Sequence, residues 1–231
     1  MNQLKKNIID FLKSVLSISI RDIKIQIRNL SYIMSIIIFV IIVILLFIFA
    51  IGPNEEQLKI YIIPIMWSIL ILSSCITFNK LLKDDYDDGN FGLYQFTSLS
   101  FELIAISKII TSWILFQLPL LILMPLIAVL LNVNVDKIVL LIITMLIGSP
   151  ILSTLSLISG SMMLTNSKNL SLGSLIIIPM CIPIIIFSIG AINNDIDLFM
   201  PQINILLSIL FATIALGPWI ISTCIKIAIK N

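Results

Sequence analysis

The residues with the densest potential for chemistry lie in one short stretch of this chain. Asp84, Asp85, Asp87 and Asp88 are four of its twelve acidic residues, and Gly89 follows them. Glycine tolerates positive φ, so Gly89 predicts a turn that ends the acidic cluster. Beyond it comes a semi-apolar stretch: Phe91, Leu93, Tyr94, Phe96, Leu99, Phe101 and Leu103. Three readings compete. A calcium loop of EF-hand type needs ligands at fixed alternating positions and a distant glutamate, and that spacing is missing. A merely solvated turn is the second reading. A docking surface is the third and is favoured, because an exposed acidic turn followed by an aromatic-rich short helix suits a partner with a basic groove. On that reading Asp84, Asp85, Asp87, Asp88 and Gly89 form the docking turn, and Phe91, Tyr94 and Phe96 are its apolar anchors.

The rest of the sequence removes most enzymatic chemistry. There is no histidine, so imidazole ligation of zinc or haem and the commonest general base are absent. Cys75, Cys181 and Cys224 stand alone in apolar runs with no metal spacing, and read as small buried hydrophobes. Trp67, Trp113 and Trp219 are equally isolated. A Ser-His dyad is impossible, and Ser-Lys chemistry would need a lysine at membrane depth, where none is expected. No G-x-x-x-x-G-K-[ST] motif is present to cradle ATP phosphates, so any ATP-derived work must come from another chain. No basic patch interleaved with aromatics points to nucleic acid. The expectation is a non-enzymatic chain with no catalytic or metal residue and no directly bound cofactor.

The elements that must position the acidic stretch are membrane helices. Of the 231 residues, 59% are hydrophobic and 11% charged, against roughly 25% charged in a soluble domain. Mean hydropathy is +1.17. Uncharged runs cover 29–54, 60–79, 109–135, 138–167, 169–194 and 198–225, and a helix needs about 20 residues to cross the hydrocarbon. They lack the alternation of barrel strands. The predicted fold class is an all-α membrane protein with six transmembrane helices at about 31–51, 60–80, 108–131, 138–163, 170–191 and 203–225. The first run is too long for the apolar core of a cleaved signal and is expected to stay as an anchor.

Charge distribution sets the expected orientation. Twelve of the fourteen Lys/Arg fall in the N-terminal segment, the second and fourth connectors and the tail, whereas Lys59 and Lys137 alone occupy the other connectors. Both termini, and the loop 81–107, are therefore expected in the cytosol. Residues 1–30 are expected to carry an interfacial helix. Ile8, Ile9, Leu12, Val15, Leu16, Ile23 and Ile27 form one face, and Asp10, Lys13, Ser17, Arg21, Lys24 and Arg28 the other, which suits an anionic leaflet. The spans 31–225 form the membrane domain and 226–231 a cytosolic tail. Pro64, Pro119, Pro125, Gly148, Pro150, Pro179 and Pro183 punctuate the spans, as kinks in moving parts or as ordinary features of polytopic chains.

These motifs carry a resemblance. Lys83-Asp-Asp-Tyr-Asp-Asp-Gly89 is similar to the Arg/Lys-Asp-Asp-x-x-Asp-Gly signature of the haem exporter protein B (CcmB) family, within the ABC-2-type exporter permeases. Ile51-Gly52-Pro53, Trp67, the segment Leu118–Pro125 and the segment Ile178–Phe187 also resemble that family, over most of residues 20–225. Family members often have Glu where Gly92 stands and Pro near Ser98. The resemblance implies a permease subunit of an ABC transporter complex in c-type cytochrome biogenesis, in a bacterial inner membrane or an organellar one. It implies a CcmA-like ATPase that binds the ATP, a CcmC-like haem-handling membrane protein, a small CcmD-like subunit, and a periplasmic haem chaperone. It also implies two copies of this chain in the complex, haem as cargo, and a coupling segment at about 82–100 seated on the ATPase. Two other readings stay open. One is a secondary transporter or channel using Asn166, Asn169, Ser171 and Ser174; the other is a scaffold that passes ATP-driven motion to its neighbours and releases the haem-loaded chaperone.

Overall fold

The computed structural model describes residues 2–28, 30–52, 55–77, 80–96, 99–164, 171–193 and 196–230, and every regular element among them is helical. Lys168, Asn166, Asn169 and Pro53 lie outside the described residues. In order, the helices are α1 (Asn2–Arg28), α2 (Ser31–Ile51), α3 (Glu55–Thr77), α4 (Lys80–Asp87) and α5 (Asn90–Gln95). They continue with α6 (Phe101–Ser112), a π-helical turn (Trp113–Gln117), α7 (Leu118–Leu130), α8 (Val135–Leu164), α9 (Ser171–Asn193) and α10 (Ile196–Lys230). Five stretches are long and apolar enough to cross a membrane: α2, α3 with α4, α6 with α7, α8 and α10. Helix α9, with 23 residues, supplies a sixth apolar rod. The chain is an all-α, multi-pass membrane protein, as its uninterrupted apolar runs require of a backbone that cannot hydrogen-bond to lipid.

Burial sorts the rods into centre and rim. Helix α8 is the centre: its run from Ile151 to Ser161 is buried throughout, and it packs against α3, α4, α6, α7, α9 and α10. That run is rich in serine, threonine and glycine rather than leucine. Lipid tails are as apolar as leucine, so helices in a membrane associate through close packing and interhelical hydrogen bonds, which small and hydroxylated residues permit. Gly148 of α8 lies against the ring of Trp67 of α3, and Gly217 of α10 against the Thr154 methyl. Helix α2 belongs to the rim. It buries only Ile36, Val40 and Ile44, one stripe at a spacing of four, and leaves the rest of its apolar surface outward.

Three local features fix the route of the chain. Helix α7 ends in a tight left-handed cap: Asn132 adopts φ 54°, Asn132 N–H donates to Val129 O and Val133 N–H to Ala128 O, the bond pair of a Schellman stop. Helix α6 begins at Ser100, whose Oγ accepts from Leu103 N–H at 3.3 Å, so the third rod starts about two turns earlier than its uncharged run suggests. Between α6 and α7 the helix widens into the π-helical turn, where Leu118 N–H reaches back to Trp113 O. Pro119 follows it and has no N–H to give to the preceding turn. The widened turn carries Gln117 inward, where its Nε2 donates to Ser74 Oγ at 2.6 Å, and Trp113 Nε1 donates to Ser149 Oγ at 3.0 Å.

Helix α1 has three faces rather than the expected two. Val15, Ile18, Ser19, Asp22 and Gln26 form a buried stripe, and α1 packs on α6. Leu12, Leu16, Ile20 and Ile27 form a second, outward apolar stripe. Lys13, Lys24 and Arg28 lie on the third side and are exposed. Val15 therefore parts company with Leu12 and Leu16: it faces protein and they do not. The helix is described as far back as Asn2, but the side chains of Ile8 and Ile9 lie outside the described residues.

Candidate functional site

The expected acidic turn is a helix. Asp84, Asp85 and Asp87 belong to α4, and only Asp88 and Gly89 form the turn that follows. Helix α4 is held by an i,i+4 pair, Lys80 Nζ to Asp84 at 2.9 Å, the favourable spacing on a helix surface. Gly89 takes φ 71° and ψ 12°, the left-handed conformation in which a glycine costs least. Helix α5 then starts at Asn90, whose Nδ2 donates to Asp85 Oδ1 at 3.0 Å. The short aromatic helix expected after the glycine is thus present.

The four aspartates have different surroundings. Asp87 and Asp88 are exposed. Asp84 is half-buried and accepts from Gln26 Nε2 of α1 at 3.1 Å. Asp85 is buried, because Lys108 of α6 comes to meet it: Lys108 Nζ lies 2.5 Å from Asp85 Oδ2 and 2.6 Å from Asp22 Oδ2 of α1. Lys108 is only 1% exposed and Asp22 only 3%. Arg21 completes the group. Its guanidinium donates to Asp22 Oδ1 through Nε at 3.0 Å and an Nη at 2.7 Å, and lies 3.7 Å from Asp85 Oδ2. Two cations and two anions therefore balance. Buried charges are tolerated where they are paired and hydrogen-bonded, and a pair that loses one member leaves an uncompensated charge.

The aromatic anchors also divide. Phe91 and Tyr94 point inward and are buried, their rings 6.3 Å apart, and the Arg21 guanidinium stacks 5.5 Å from the Tyr94 ring. Burial, with the Asp85 charge second, pushes the Tyr94 phenol up to about 12, so the ring stays neutral beside the carboxylates. These two residues fasten α5 to the body and are not free to meet a partner. Phe96 is 90% exposed, and Leu93, one turn earlier on α5, is 63% exposed. Tyr86 of α4 reaches the other way, its hydroxyl donating to Ala228 O of α10 at 3.4 Å. Beside this contact Glu102 of α6 accepts from Ser222 Oγ at 2.6 Å and Lys226 Nζ at 2.7 Å of α10.

The result is a platform of two short helices at one end of the bundle, tied by side chains to α1, α6 and α10. A cavity of about 350 Å³ opens beside it, lined by Asp22, Gln26, Asp84, Asp85, Asp87 and Lys108 among others. Among the described residues no group of three or more Cys, Asp or Glu is arranged to hold a metal ion. Asp84 and Asp85 turn to different cations, Lys80 and Lys108.

Sequence reasoning missed Asp22, Gln26 and Lys108. Lys108 reads as a connector lysine at the foot of a span. Asp22 carried a usable signal: it follows Ile18 by four residues and Val15 by seven, which places a lone acid on an otherwise apolar helical stripe. An acid in that position needs a buried cation. Gly92 of α5 faces open space: a Cβ at that position would meet nothing within 4 Å.

Comparison with known proteins agrees with this architecture over nearly its full length. A family model described as "CcmB protein" matches residues 13–228. The chain is 30% identical over 214 residues to heme exporter protein B of Haemophilus influenzae, covering 91% of this chain and 96% of the relative. It is 27% identical to heme exporter protein B of Bradyrhizobium diazoefficiens, covering 86% and 91%, and 25% identical to that of Pseudomonas aeruginosa, covering 90% and 95%. The match runs from within α1 to the last turn of α10 and includes the whole charge network, and on it the chain belongs to the CcmB protein family.

Proposed function

We propose that this chain is the permease subunit of an ABC-type haem exporter complex of c-type cytochrome biogenesis, and that α4 and α5 are the seat of its ATPase. The observation that carries the reading is the two-sided construction of that platform. Its inner side is fixed by Lys108–Asp85 and by buried Phe91 and Tyr94, while its outer side presents Asp87, Asp88, Leu93 and Phe96. Exposed apolar residues flanked by carboxylates suit a partner groove with an apolar floor and a basic rim. The platform lies at the end where most Lys/Arg collect, which supports a cytosolic position for it and for both termini. The outward apolar and basic stripes of α1 fit a helix lying along an anionic inner leaflet.

On this reading ATP is bound and hydrolysed by a CcmA-like subunit, and two copies of this chain pair above two ATPases. A CcmC-like protein and a CcmD-like subunit complete the assembly. Closure of the ATPase pair displaces α4 and α5, and the rods move as rigid bodies to export haem or release the haem-loaded chaperone. The test is a mild-detergent pull-down of the tagged chain with identification of the captured subunits. An ATPase and a haem-handling membrane protein are expected with the wild-type chain. The triple variant Asp87→Lys, Asp88→Lys, Phe96→Ala should insert normally yet lose most of the ATPase. Undiminished capture by that variant, or no nucleotide-hydrolysing subunit with the wild type, sinks the proposal.

A further inference from the structure

We propose that Lys108 is a positioning residue of the coupling step, carrying displacement of α4 directly into α1 and into the α6–α7 rod; this rests on the ATPase-docking reading above. Along the chain, α4 reaches α6 only by way of the turn at 88–89, α5 and residues 96–100. Through space α4 meets α6 directly, and the ion pair there is Asp85 Oδ2 to Lys108 Nζ at 2.5 Å. The same ammonium holds Asp22 of α1 at 2.6 Å. One buried cation is therefore shared by three elements: the platform, the N-terminal helix and the third rod.

The sharing is unequal, and the inequality indicates which contact transmits. Asp22 has a second close cation in Arg21, at 2.7 Å. Asp85 has Arg21 only at 3.7 Å, and Asn90 Nδ2 donates to its other oxygen. The charge on Asp85 thus depends chiefly on Lys108. Drawing α4 away from α6 would part a largely buried carboxylate from its ammonium, and a buried pair that loses one member leaves a poorly compensated charge. The favoured response to a push on the platform is for α4, α6 and α1 to move together. Lys108 enters the third rod near its foot, and the helix runs on from there through the π-helical turn to Leu130. Polar contacts elsewhere on the platform are more yielding: Lys80–Asp84 and Gln26–Asp84 are partly exposed.

The experiment uses the complete complex with its ATPase, comparing wild type with Lys108→Met, Asp22→Asn, Asp85→Asn and Lys108→Arg. Three quantities are measured: ATPase captured per permease, ATP hydrolysed per complex, and holo-cytochrome c formed per assembled complex. Lys108→Met and Asp22→Asn should keep ATPase capture within about twofold and reduce cytochrome yield per complex about tenfold or more; Lys108→Arg should restore at least half of it. A purely structural staple would lower the amount of complex and leave the yield per complex alone, and that outcome overturns the inference. So does failure of Lys108→Arg to restore coupling. If Lys108→Met does not insert, Asp85→Asn decides, since it breaks the Lys108–Asp85 pair and leaves Lys108 with Asp22: lost yield per complex supports the link, and wild-type yield overturns it. Absence of any ATPase with the wild-type chain removes the docking reading itself, whereas intact capture with intact yield in every variant removes this inference alone.

Discussion

Gly148→Ala tests whether the centre of the bundle is as tightly built as its geometry implies. A Cβ at Gly148 would lie 3.0 Å from Trp67 Cζ3, closer still to Trp67 Cη2, and 3.6 Å from Ile184 Cγ2. The obstacle is the far edge of a rigid indole that is fully buried in α3, so it cannot swing into open space. Overpacking costs about 1–3 kcal/mol, and a blocked ring belongs at the upper end. Alanine's better helix propensity offsets at most about 1 kcal/mol, leaving a net loss of about 2 kcal/mol. At roughly 2–4 °C per kcal/mol for a chain of this length, the midpoint of thermal unfolding in mild detergent should fall by about 4–8 °C. Gly92→Ala is the control: nothing stands within 4 Å there, and its midpoint should not fall. Phenylalanine lacks both obstructing atoms, so Trp67→Phe should relieve the clash, and the double variant should be more stable than Gly148→Ala alone. An unchanged midpoint for Gly148→Ala, or strict additivity in that cycle, would refute the reasoning.

Two further outcomes follow from particular contacts. Gln117→Met should change stability by less than about 1 kcal/mol in the same assay, because the lost bond to Ser74 is offset by removing Oε1, a buried acceptor with no hydrogen-bond partner; a large loss would mean that the amide holds the π-helical turn. Glu102→Gln should cost no more than about 1 kcal/mol at low salt and almost nothing at high salt, since Glu102 and Lys226 are 40% and 47% exposed; a salt-independent loss would contradict an exposed pair.

The membrane rods were legible because lipid imposes a single rule on the backbone, and long charge-free runs are its direct trace. The rule placed several helix ends too far inward, most informatively at the foot of the third rod. Glu102 and Lys108 interrupt the apolar pattern, so the third span is expected from about 108, whereas the helix is capped at Ser100. Those charges sit in a continuous helix because Lys226 and Ser222 meet one and two aspartates meet the other. None of these partners is a sequence neighbour. The same blindness governs the acidic stretch. Four aspartates in five residues suggest a uniformly wet turn, and Asp87 and Asp88 are exposed as expected, but Asp85 is buried by a lysine from another helix. Periodicity also divides a helix only into apolar and polar. In α1 it could not separate the apolar residues that meet protein, such as Val15, from those that face outward, such as Leu16.

The π-helical turn at Trp113–Gln117 has a consequence for everything upstream of it. One residue added to a helical turn advances the azimuth of the preceding segment by about 100°, a full residue's worth of rotation. The foot of the third rod, with Glu102 and Lys108, is therefore keyed to its upper half by this insertion. Excising a single residue from the turn would restore an ordinary α-helix while dialling Lys108 away from Asp22 and Asp85. An indel confined to the bilayer interior would thus unlatch a charge cluster nearly two turns below, without altering any residue of the cluster itself.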